Sequence, residues 1–324
     1  MISLNNIKEP IEWELKEFER EFKKSMQSSV PLLDKIANYI IKSKGKQIRP
    51  LLVFLSAKVS GGITKSTYTA ATLIELLHTA TLVHDDIVDN SYERRGFFSI
   101  NALWKNKIAV LIGDYLFAKG LLTSLKSDEF QLLKIVSIAV EKMSEGELLQ
   151  IEKSRKLDIT EDIYFDIIKR KTASLLVSCC QCGAISANAS IDDVNKMVEF
   201  GENLGIAFQI KDDLFDYGNS KKIGKPTGID IKEKKMTLPL IYSLNNCSKT
   251  EKNKIIKTFK NKNINSEDVI NVVKFVEEKG GMEYSNKIMQ EYKNKALKSL
   301  ESFPESESKN SLKMLVEYTI EREK

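Results

Sequence analysis

An acidic pattern, Asp-Asp-x-x-Asp, occurs twice in this chain, at residues 85–89 and again at residues 212–216. On a helix, the first and third acids of each copy lie four residues apart, and the second and third lie three apart. One helical face therefore carries most of the negative charge. Like charges at this spacing destabilise an isolated helix, and each copy follows an apolar stretch. Carboxylates at the ends of buried helices need a multivalent cation, so the two copies predict one shared centre that holds several metal ions.

Helical periodicity runs through almost every segment of the chain. Residues 70–89 are apolar on nearly all sides, which is typical of a central buried helix. Residues 194–208 form a helical face that leads into the second acidic copy, and residues 128–153 and 160–188 are further long helical patterns. Six prolines and the lack of alternating β-branched runs argue against a sizeable sheet. We expect an all-α fold: a single-domain helical bundle over residues 1–324 with a central active-site cavity.

Composition limits the cellular setting and the partners. The first 22 residues are rich in Glu and Lys and contain no apolar core, so no signal peptide is expected. The best apolar segment, residues 108–122, is interrupted by Asp114 and Lys119, and a spanning helix needs about 18 apolar residues. We expect a cytoplasmic protein without a transmembrane segment, and peripheral membrane contact stays open. The net charge of +5 is spread along the chain and does not imply a nucleic-acid partner.

Two residue types are distributed unevenly. Cys179, Cys180 and Cys182 lie in an apolar helical setting without a second ligand pair, which favours a buried helix face over a zinc site.

Arginine is scarce, with seven against 43 lysines. Several of these arginines lie close to the acidic copies or to glycine-containing motifs. Where lysine is the usual cation, retained arginines indicate bidentate recognition of phosphate.

The acidic pair has a direct chemical interpretation. Magnesium prefers oxygen ligands and commonly binds through a few carboxylates together with substrate phosphates. Two facing acidic triads would suit a diphosphate bridged by several Mg²⁺ ions, which would stabilise the negative charge that develops as a carbon–oxygen bond breaks. Cationic segments at residues 44–50, 94–96, 169–172 and 221–235 could bind a second phosphorylated substrate without metal. One metal-bound and one metal-free anion site is the pattern of a two-substrate transferase.

Several further motifs accompany the acidic pair in a fixed order. They are Gly45-Lys46-x-x-Arg49-Pro50, Glu75-Leu76-Leu77-His78, Arg94-Arg95-Gly96, Gly113-Asp114-Tyr115-Leu116, Glu145-Gly146-Glu147, Lys171-Thr172-Ala173, Phe208-Gln209-Ile210-Lys211 and Thr237-Leu238-Pro239-Leu240. With these motifs the chain resembles the trans-isoprenyl (polyprenyl) diphosphate synthases, most of all the bacterial long-chain, octaprenyl-type synthases. The resemblance spans most of the chain and implies the isoprenoid-synthase type of helical bundle.

The resemblance also implies roles for matching positions. The residues acting on a cluster of about three Mg²⁺ ions would be Asp85, Asp86, Asp89, Asp212, Asp213 and Asp216. The residues contacting the allylic diphosphate would be Arg94, Lys171, Lys225 and Lys235. The residues holding isopentenyl diphosphate would be Lys46, Arg49, His78 and Arg95. Thr172 and Gln209 would steady the allylic carbocation, and the spacing of Gln209 four residues before Asp213 fits that placement independently. For His84, a core or supporting role beside Asp85 is favoured over catalysis.

The implied reaction is ionisation to an allylic cation, attack by the isopentenyl double bond, and loss of a proton to the released pyrophosphate.

The length of the product is assigned to the helix before Asp85, where Ala80, Thr81 and Leu77 would border the cavity. Small residues there leave it open, which predicts a long-chain product that supplies quinone side chains. The cavity floor would then lie deeper, at a residue of the 128–153 helix such as Val136, Val140 or Met143.

Three alternatives remain at this point. A short-chain (farnesyl or geranylgeranyl) synthase is disfavoured by Ala80. A class I terpene cyclase usually replaces the second acidic motif and needs no isopentenyl site, and a non-catalytic partner subunit typically loses one or both acidic motifs. A homodimer is implied by the resemblance alone.

Overall fold

Helices account for nearly all regular structure in the computed structural model, which describes residues 3–43, 45–94, 96–218, 228–261 and 263–322. The elements up to the hairpin are α1 Leu4–Lys8, a 3₁₀ turn Glu9–Ile11, α2 Glu12–Met26, α3 Pro31–Lys42, α4 Ile48–Ser60, α5 Lys65–Val88, β1 Glu93–Arg94 and β2 Phe97–Phe98. The middle elements are α6 Ile100–Leu125, α7 Phe130–Lys156, α8 Glu161–Ile168, a π turn Lys169–Ala173, α9 Ser174–Ser186 and α10 Ile191–Asp216. The last elements are α11 Ile229–Lys232, α12 Leu238–Asn245, α13 Lys249–Lys260, α14 Ser266–Glu278, α15 Gly281–Ser299 and α16 Glu307–Glu321. The prediction of an all-α fold is confirmed.

Helix α5 is the central helix that the apolar run at residues 70–89 predicts. Its start is fixed by a capping box, in which the Thr64 and Thr67 side chains each engage the other's backbone N–H. Along its length it packs against α4, α6, α7 and α9, so most of its side chains are buried. The last helical residue is Val88, and the following residue, Asp89, caps the helix: its N–H donates to the Asp85 carbonyl over 2.8 Å. Packing on all sides therefore holds the first acidic copy at a fixed helix end.

Helix α10 joins the two hydrophobic clusters of the described chain. Its first half buries Phe200 and Leu204 in the cluster that includes α4, α5 and α9. Its second half buries Ile206 and Ile210 in a cluster with α12 and α14. Full burial of such side chains contributes about 1.5–3 kcal/mol each. Because both halves are anchored, the C-terminal turn of α10 presents the second acidic copy from a rigid support.

The segment predicted as one helix over residues 160–188 is interrupted. Thr160 caps α8 as expected, since its hydroxyl accepts from the Ile163 N–H. The helix then widens into a π turn at Lys169–Ala173 before α9 continues. The three cysteines of α9 are free and buried, which confirms the predicted helix face. A π turn inside an α-helix commonly marks a functional site.

Helix α6 has two different faces. One packs against α5, and the other exposes apolar side chains: Leu103, Val110, Leu111, Leu121, Leu122 and Leu125. Among the described residues, this is the one helix that is long and apolar enough to cross a membrane, judged by length and composition alone.

Candidate active site

The first acidic copy divides into a buried anchor and two exposed acids. Asp86 is buried, and its Oδ1 accepts from the Nε of Arg94 over 2.7 Å. Arg94 reaches it from the hairpin β1–β2, whose turn includes Gly96 with a φ of 77°. Asp85 and Asp89 are exposed at the end of α5. Asp85 and Asp89 therefore remain available to a ligand, while Asp86 ties the hairpin to the helix.

The Asp85 carboxyl lies in a field of mixed charge. Partial desolvation raises its pKa to about 6; the Lys171 ammonium opposes this rise, and the Asp89 and Glu147 carboxylates add to it. A carboxylate held among other carboxylates gains from a bound cation, which would lower its pKa again. A bound cation would therefore favour the charged form of the Asp85 carboxyl.

The three acids of the second copy have three different environments. Asp212 is 40% exposed at its side chain and forms an ion pair with Arg322, which follows α16. The Arg322 guanidinium also lies 4.2 Å from the centroid of the Phe208 ring. Asp216 accepts hydrogen bonds from the N–H groups at residues 229–231, over 2.8 to 3.4 Å, and so caps α11. Asp212 alone of the three presents a partly exposed carboxylate.

Asp213 is the buried centre of a hydrogen-bonded chain. Tyr164 donates its hydroxyl to Asp213 Oδ2 over 2.6 Å, and Gln209 Nε2 donates to Oδ1 over 2.8 Å. Thr172 in turn donates its hydroxyl to Gln209 Oε1 over 2.7 Å. The predicted proximity of Thr172, Gln209 and Asp213 is therefore what the structure shows, and Tyr164 completes the group. Asp213 orients Gln209, which orients the Thr172 hydroxyl.

Two glycines allow the π turn to lie between α7 and α10. A Cβ on Gly146 would lie 2.9 Å from the Lys171 amide nitrogen, and a Cβ on Gly205 would lie 2.6 Å from the Ala173 Cα. Real Cβ atoms do not approach backbone this closely. The turn that bears Lys171 and Thr172 is consequently enclosed on both sides by backbone.

A cleft of about 80 Å³ lies beside the second acidic copy, with Asp213 in its lining. Its polar lining includes Gln150, Lys171, Thr172, Gln209, Asp213, Asp230 and Lys235, and its apolar lining includes Ile159, Ile167, Ile168 and Met236. The Lys235 ammonium lies 2.6 Å from Glu233 and 3.5 Å from Asp230. Burial lowers the pKa of Lys235, but the Asp230, Glu233 and Asp89 carboxylates more than offset this and raise it. Lys235 therefore shares the cleft lining with Asp213 of the second acidic copy and lies within electrostatic reach of Asp89 of the first.

Three of the residues predicted to bind a metal-free anion lie on two helices that pack together, α4 and α5. Lys46 lies just before α4 and is exposed, with its Nζ 5.2 Å from the centroid of the Tyr318 ring of α16. Arg49, in the first turn of α4, is half-buried, and His78 of α5 is buried. Two other predicted contacts, Arg95 and Lys225, lie outside the described residues.

Several residues of the site are absent from the sequence prediction. Four side chains reach the site from distant parts of the chain: Tyr164, Glu147, Gln150 and Arg322. The sequence gives a signal for two of them, Glu147 through the Glu145-Gly146-Glu147 motif and Arg322 through the scarcity of arginine. His84 points toward α6, where its Nε2 lies 3.2 Å from the Val110 carbonyl oxygen. This contact agrees with the supporting role favoured for His84.

The comparison with known proteins decides the family. The profile described as polyprenyl synthetase matches residues 30–276. This chain belongs to that family. It is 34% identical to the geranylgeranyl diphosphate synthase of Saccharolobus solfataricus over 93% of this chain and 94% of that protein. It is 33% identical to the octaprenyl diphosphate synthase of Escherichia coli, with 92% and 93% covered.

A solved structure supports the same assignment. The polyprenyl synthase of Caulobacter crescentus, determined with calcium and isoprenyl diphosphate, superimposes with a TM-score of 0.89 at 29% identity. The match covers 99% of this chain and 98% of that one. The polyprenyl synthetase described here is thus a prenyltransferase that forms prenyl diphosphates.

The donor set of this polyprenyl synthetase suits a divalent cation bound together with its substrate. Within the described ranges, no three His, Cys, Asp or Glu side chains converge into a site by themselves. A site made only of protein ligands is not required, because Mg²⁺ commonly binds through one or two carboxylates together with phosphate oxygens. Asp85 and Asp89 provide exposed carboxylates of the required kind, and Asp212 provides a partly exposed one that is paired with Arg322.

The three residues predicted to set chain length differ in exposure. Ala80 is fully buried and Leu77 is 2% exposed, whereas Thr81 is half-buried. Leu77 lies against Gly120 of α6, where a Cβ would approach its Cδ2 to 3.0 Å. Of the three side chains, Thr81 has the most surface free to meet a growing prenyl chain.

The buried acids predict a pH dependence of stability in the metal-free protein. Burial and the Asp230 carboxylate raise the pKa of Asp213 to about 8, although the Tyr164 and Gln209 hydrogen bonds oppose the rise. Burial and Asp230 likewise raise the pKa of Asp216 to about 6. Both values exceed the ordinary 3.8. The folded state therefore keeps protons that the unfolded state has released, and the free energy of unfolding falls as pH rises from about 4 to about 8.

We expect the Tm in EDTA to be lower at about pH 8 than at about pH 5.5. Asp213→Asn, which cannot titrate, should make the Tm less dependent on pH over this interval. A Tm that rises steadily toward pH 8 in the parent protein would contradict the assignment.

Proposed function

We propose that this enzyme is a long-chain all-trans polyprenyl diphosphate synthase. It would condense isopentenyl diphosphate head-to-tail onto an allylic diphosphate in the cytoplasm, and its product would supply quinone side chains. The observation that carries the proposal is the cleft beside the second acidic copy, which is lined by Lys171, Thr172 and Gln209. Its two lysines, Lys171 and Lys235, also interact electrostatically with Asp85 and Asp89 of the first copy. The small side chains of Ala80 and Thr81, and the similarity to an octaprenyl diphosphate synthase, support a long product.

The site would hold the allylic diphosphate by opposite charges. Arg94, Lys171 and Lys235 provide cations around the exposed acids. Mg²⁺ bound by Asp85, Asp89 and Asp212 together with the diphosphate would supply the further positive charge that stabilises the departing pyrophosphate. We infer about three ions, as in the family pattern that the resemblance implies. Isopentenyl diphosphate would bind at Lys46 and Arg49.

Thr172 and Gln209 would stabilise the allylic cation. Because the Thr172 hydroxyl donates its hydrogen to Gln209, its oxygen lone pairs remain for an electron-poor carbon in the cleft. The apolar residues Ile159, Ile167 and Met236 would exclude water that could otherwise capture the cation. The isopentenyl double bond then attacks the cation, and the resulting cation loses a proton to the released pyrophosphate.

A shorter product is the second candidate. It is favoured by the tight burial of Leu77 and Ala80 and by the similarity to a geranylgeranyl diphosphate synthase. A non-catalytic partner subunit is disfavoured because both acidic copies are complete. The folded unit is inferred to be a single domain, since α10 contributes to both hydrophobic clusters.

One assay tests these functions. Purified protein is incubated with Mg²⁺, labelled isopentenyl diphosphate and farnesyl diphosphate, and the products are separated by chromatography. We expect a ladder that ends beyond the geranylgeranyl product. Absence of elongation would refute the synthase, and a ladder that stops at geranylgeranyl diphosphate or shorter would establish the second candidate.

The exposed apolar face of α6 predicts a homodimer. Leu111 and Leu122 are 54% and 47% exposed, and contiguous exposed apolar patches commonly mark protein interfaces. We expect light scattering to give the mass of a dimer and Leu111→Glu to shift the protein toward monomer. Ile270→Glu, at a similarly exposed apolar residue of α14, serves as the control. A dimer that is insensitive to Leu111→Glu would place the interface elsewhere.

A further inference from the structure

The Glu145-Gly146-Glu147 motif of α7 contacts the π turn residue by residue. Glu145 Oε2 lies 2.7 Å from Arg170 Nη1, and Glu147 forms an ion pair with the Lys171 ammonium. Gly146, between the two acids, permits the close backbone approach described above. The same motif thus makes two neighbouring ion pairs with two neighbouring cations.

The two ion pairs differ in what lies beside them. Lys171 lines the cleft, whereas Arg170 and Glu145 do not belong to its described lining. Lys171 is also close enough to Asp85 to lower the pKa of that carboxyl, and Glu147 is close enough to raise it. The Lys171 ammonium therefore has two carboxylates within its electrostatic reach, Glu147 and the predicted metal ligand Asp85.

The Glu147–Lys171 pair is suited to exchange. Both side chains are about a third exposed, at 34% and 35%. Ion pairs that are accessible to solvent contribute little to stability, so breaking one does not unfold a helix. A diphosphate presents more charge than a single carboxylate and can take the ammonium from it.

We propose that Glu147 is a positioning residue that holds Lys171 in the empty site. By pairing with Lys171, Glu147 holds the ammonium within electrostatic reach of Asp85 without giving it up to a direct ion pair there, so that Asp85 stays available to the divalent cation. When a diphosphate arrives, Lys171 transfers to it. Glu147 is then left beside Asp85, where its negative charge favours the cation. The proposal rests on the proposed function, because the anion that takes Lys171 is the allylic diphosphate.

The test uses inorganic pyrophosphate as the probe and calorimetry as the readout, first in EDTA and then with Mg²⁺. In EDTA, we expect Glu147→Gln to bind pyrophosphate about 3- to 10-fold more tightly than the parent, because Lys171 no longer has to leave a carboxylate. With Mg²⁺, the increase in affinity caused by the metal should be smaller in the variant. Lys171 is then free to pair with Asp85, and a neighbouring negative charge is lost.

Two further variants separate this effect from general electrostatics. Glu145→Gln removes an equal charge two residues away and breaks the matched pair with Arg170, and its two affinities should stay within about twofold of the parent. In a Lys171→Gln background, Glu147→Gln should no longer tighten metal-free binding. The proposal is overturned if Glu147→Gln gives no gain in EDTA, if Glu145→Gln gives the same gain, or if the gain survives without Lys171.

These outcomes do not depend on the reaction catalysed. If the parent protein fails to elongate farnesyl diphosphate, the proposed function is refuted while the affinity changes can still be measured. If elongation is normal and the affinity changes are absent, the role of Glu147 alone is refuted.

Discussion

Asp85→Asn should lower kcat by about 10²- to 10³-fold, the usual effect of removing one group that stabilises charge in the transition state. Asp85 is the acid best suited to this experiment. It is exposed, and the Lys171 ammonium and two carboxylates act on its pKa. Within the described part of the chain, the fold does not depend on a hydrogen bond or ion pair of its side chain. Replacement of Asp86 would also break the ion pair to Arg94, and replacement of Asp213 would disrupt a buried hydrogen-bonded chain.

The measurement compares steady-state kcat with the Tm of the same preparation. The Tm of Asp85→Asn should equal or exceed that of the parent in EDTA, because a carboxyl of raised pKa is replaced by a neutral amide. Glu141→Gln, on the exposed side of α7, removes a carboxylate outside the site and should leave kcat within about twofold. Unchanged turnover in Asp85→Asn would show that this acid does not serve the reaction.

Thr81→Phe should shorten the prenyl product by one or more isoprene units. Thr81 lies four residues before Asp85, one helical turn or about 6 Å along α5, on the same face as the acid. Because its side chain is half-buried, an aromatic ring at this position can extend from the helix with less displacement of packed neighbours than at a fully buried residue. A ring there would block the path of a chain that grows away from the diphosphate.

Ala80→Phe should also shorten the product, but at a different cost. Ala80 is fully buried, so a phenyl ring must displace its neighbours, and overpacking of this kind destabilises by about 1–3 kcal/mol. Thr79→Phe places the same ring on α5 about 200° around the helix from Thr81 and should leave product length unchanged. The three ladders are compared by chromatography together with the Tm of each variant. If all three variants give the parent's products, this turn of α5 does not border the elongation path.

Much of the site follows from local sequence. Helical spacing places Asp85 and Asp89 on one face, and it places Gln209 one turn before Asp213, because these relations depend only on the 3.6-residue repeat. The central position of α5 follows similarly from a run that is apolar on all sides. The Lys171-Thr172 pair was identified through its motif, but the π turn that carries it was expected to be regular helix. The interruption depends on contacts with Gly146 and Gly205 of other helices, which no local pattern shows.

The sequence by itself determined that the chain is all-α and that two identical acidic patterns end two buried helices. The tertiary structure decided how those acids differ. Asp213 is buried and accepts a hydrogen bond from Tyr164, 49 residues away, and Asp212 is paired with Arg322, 110 residues away. A pattern of residue types defines which groups share a helical face. Burial and partners, which set the charge and availability of each carboxylate, come from side chains that only folding brings together.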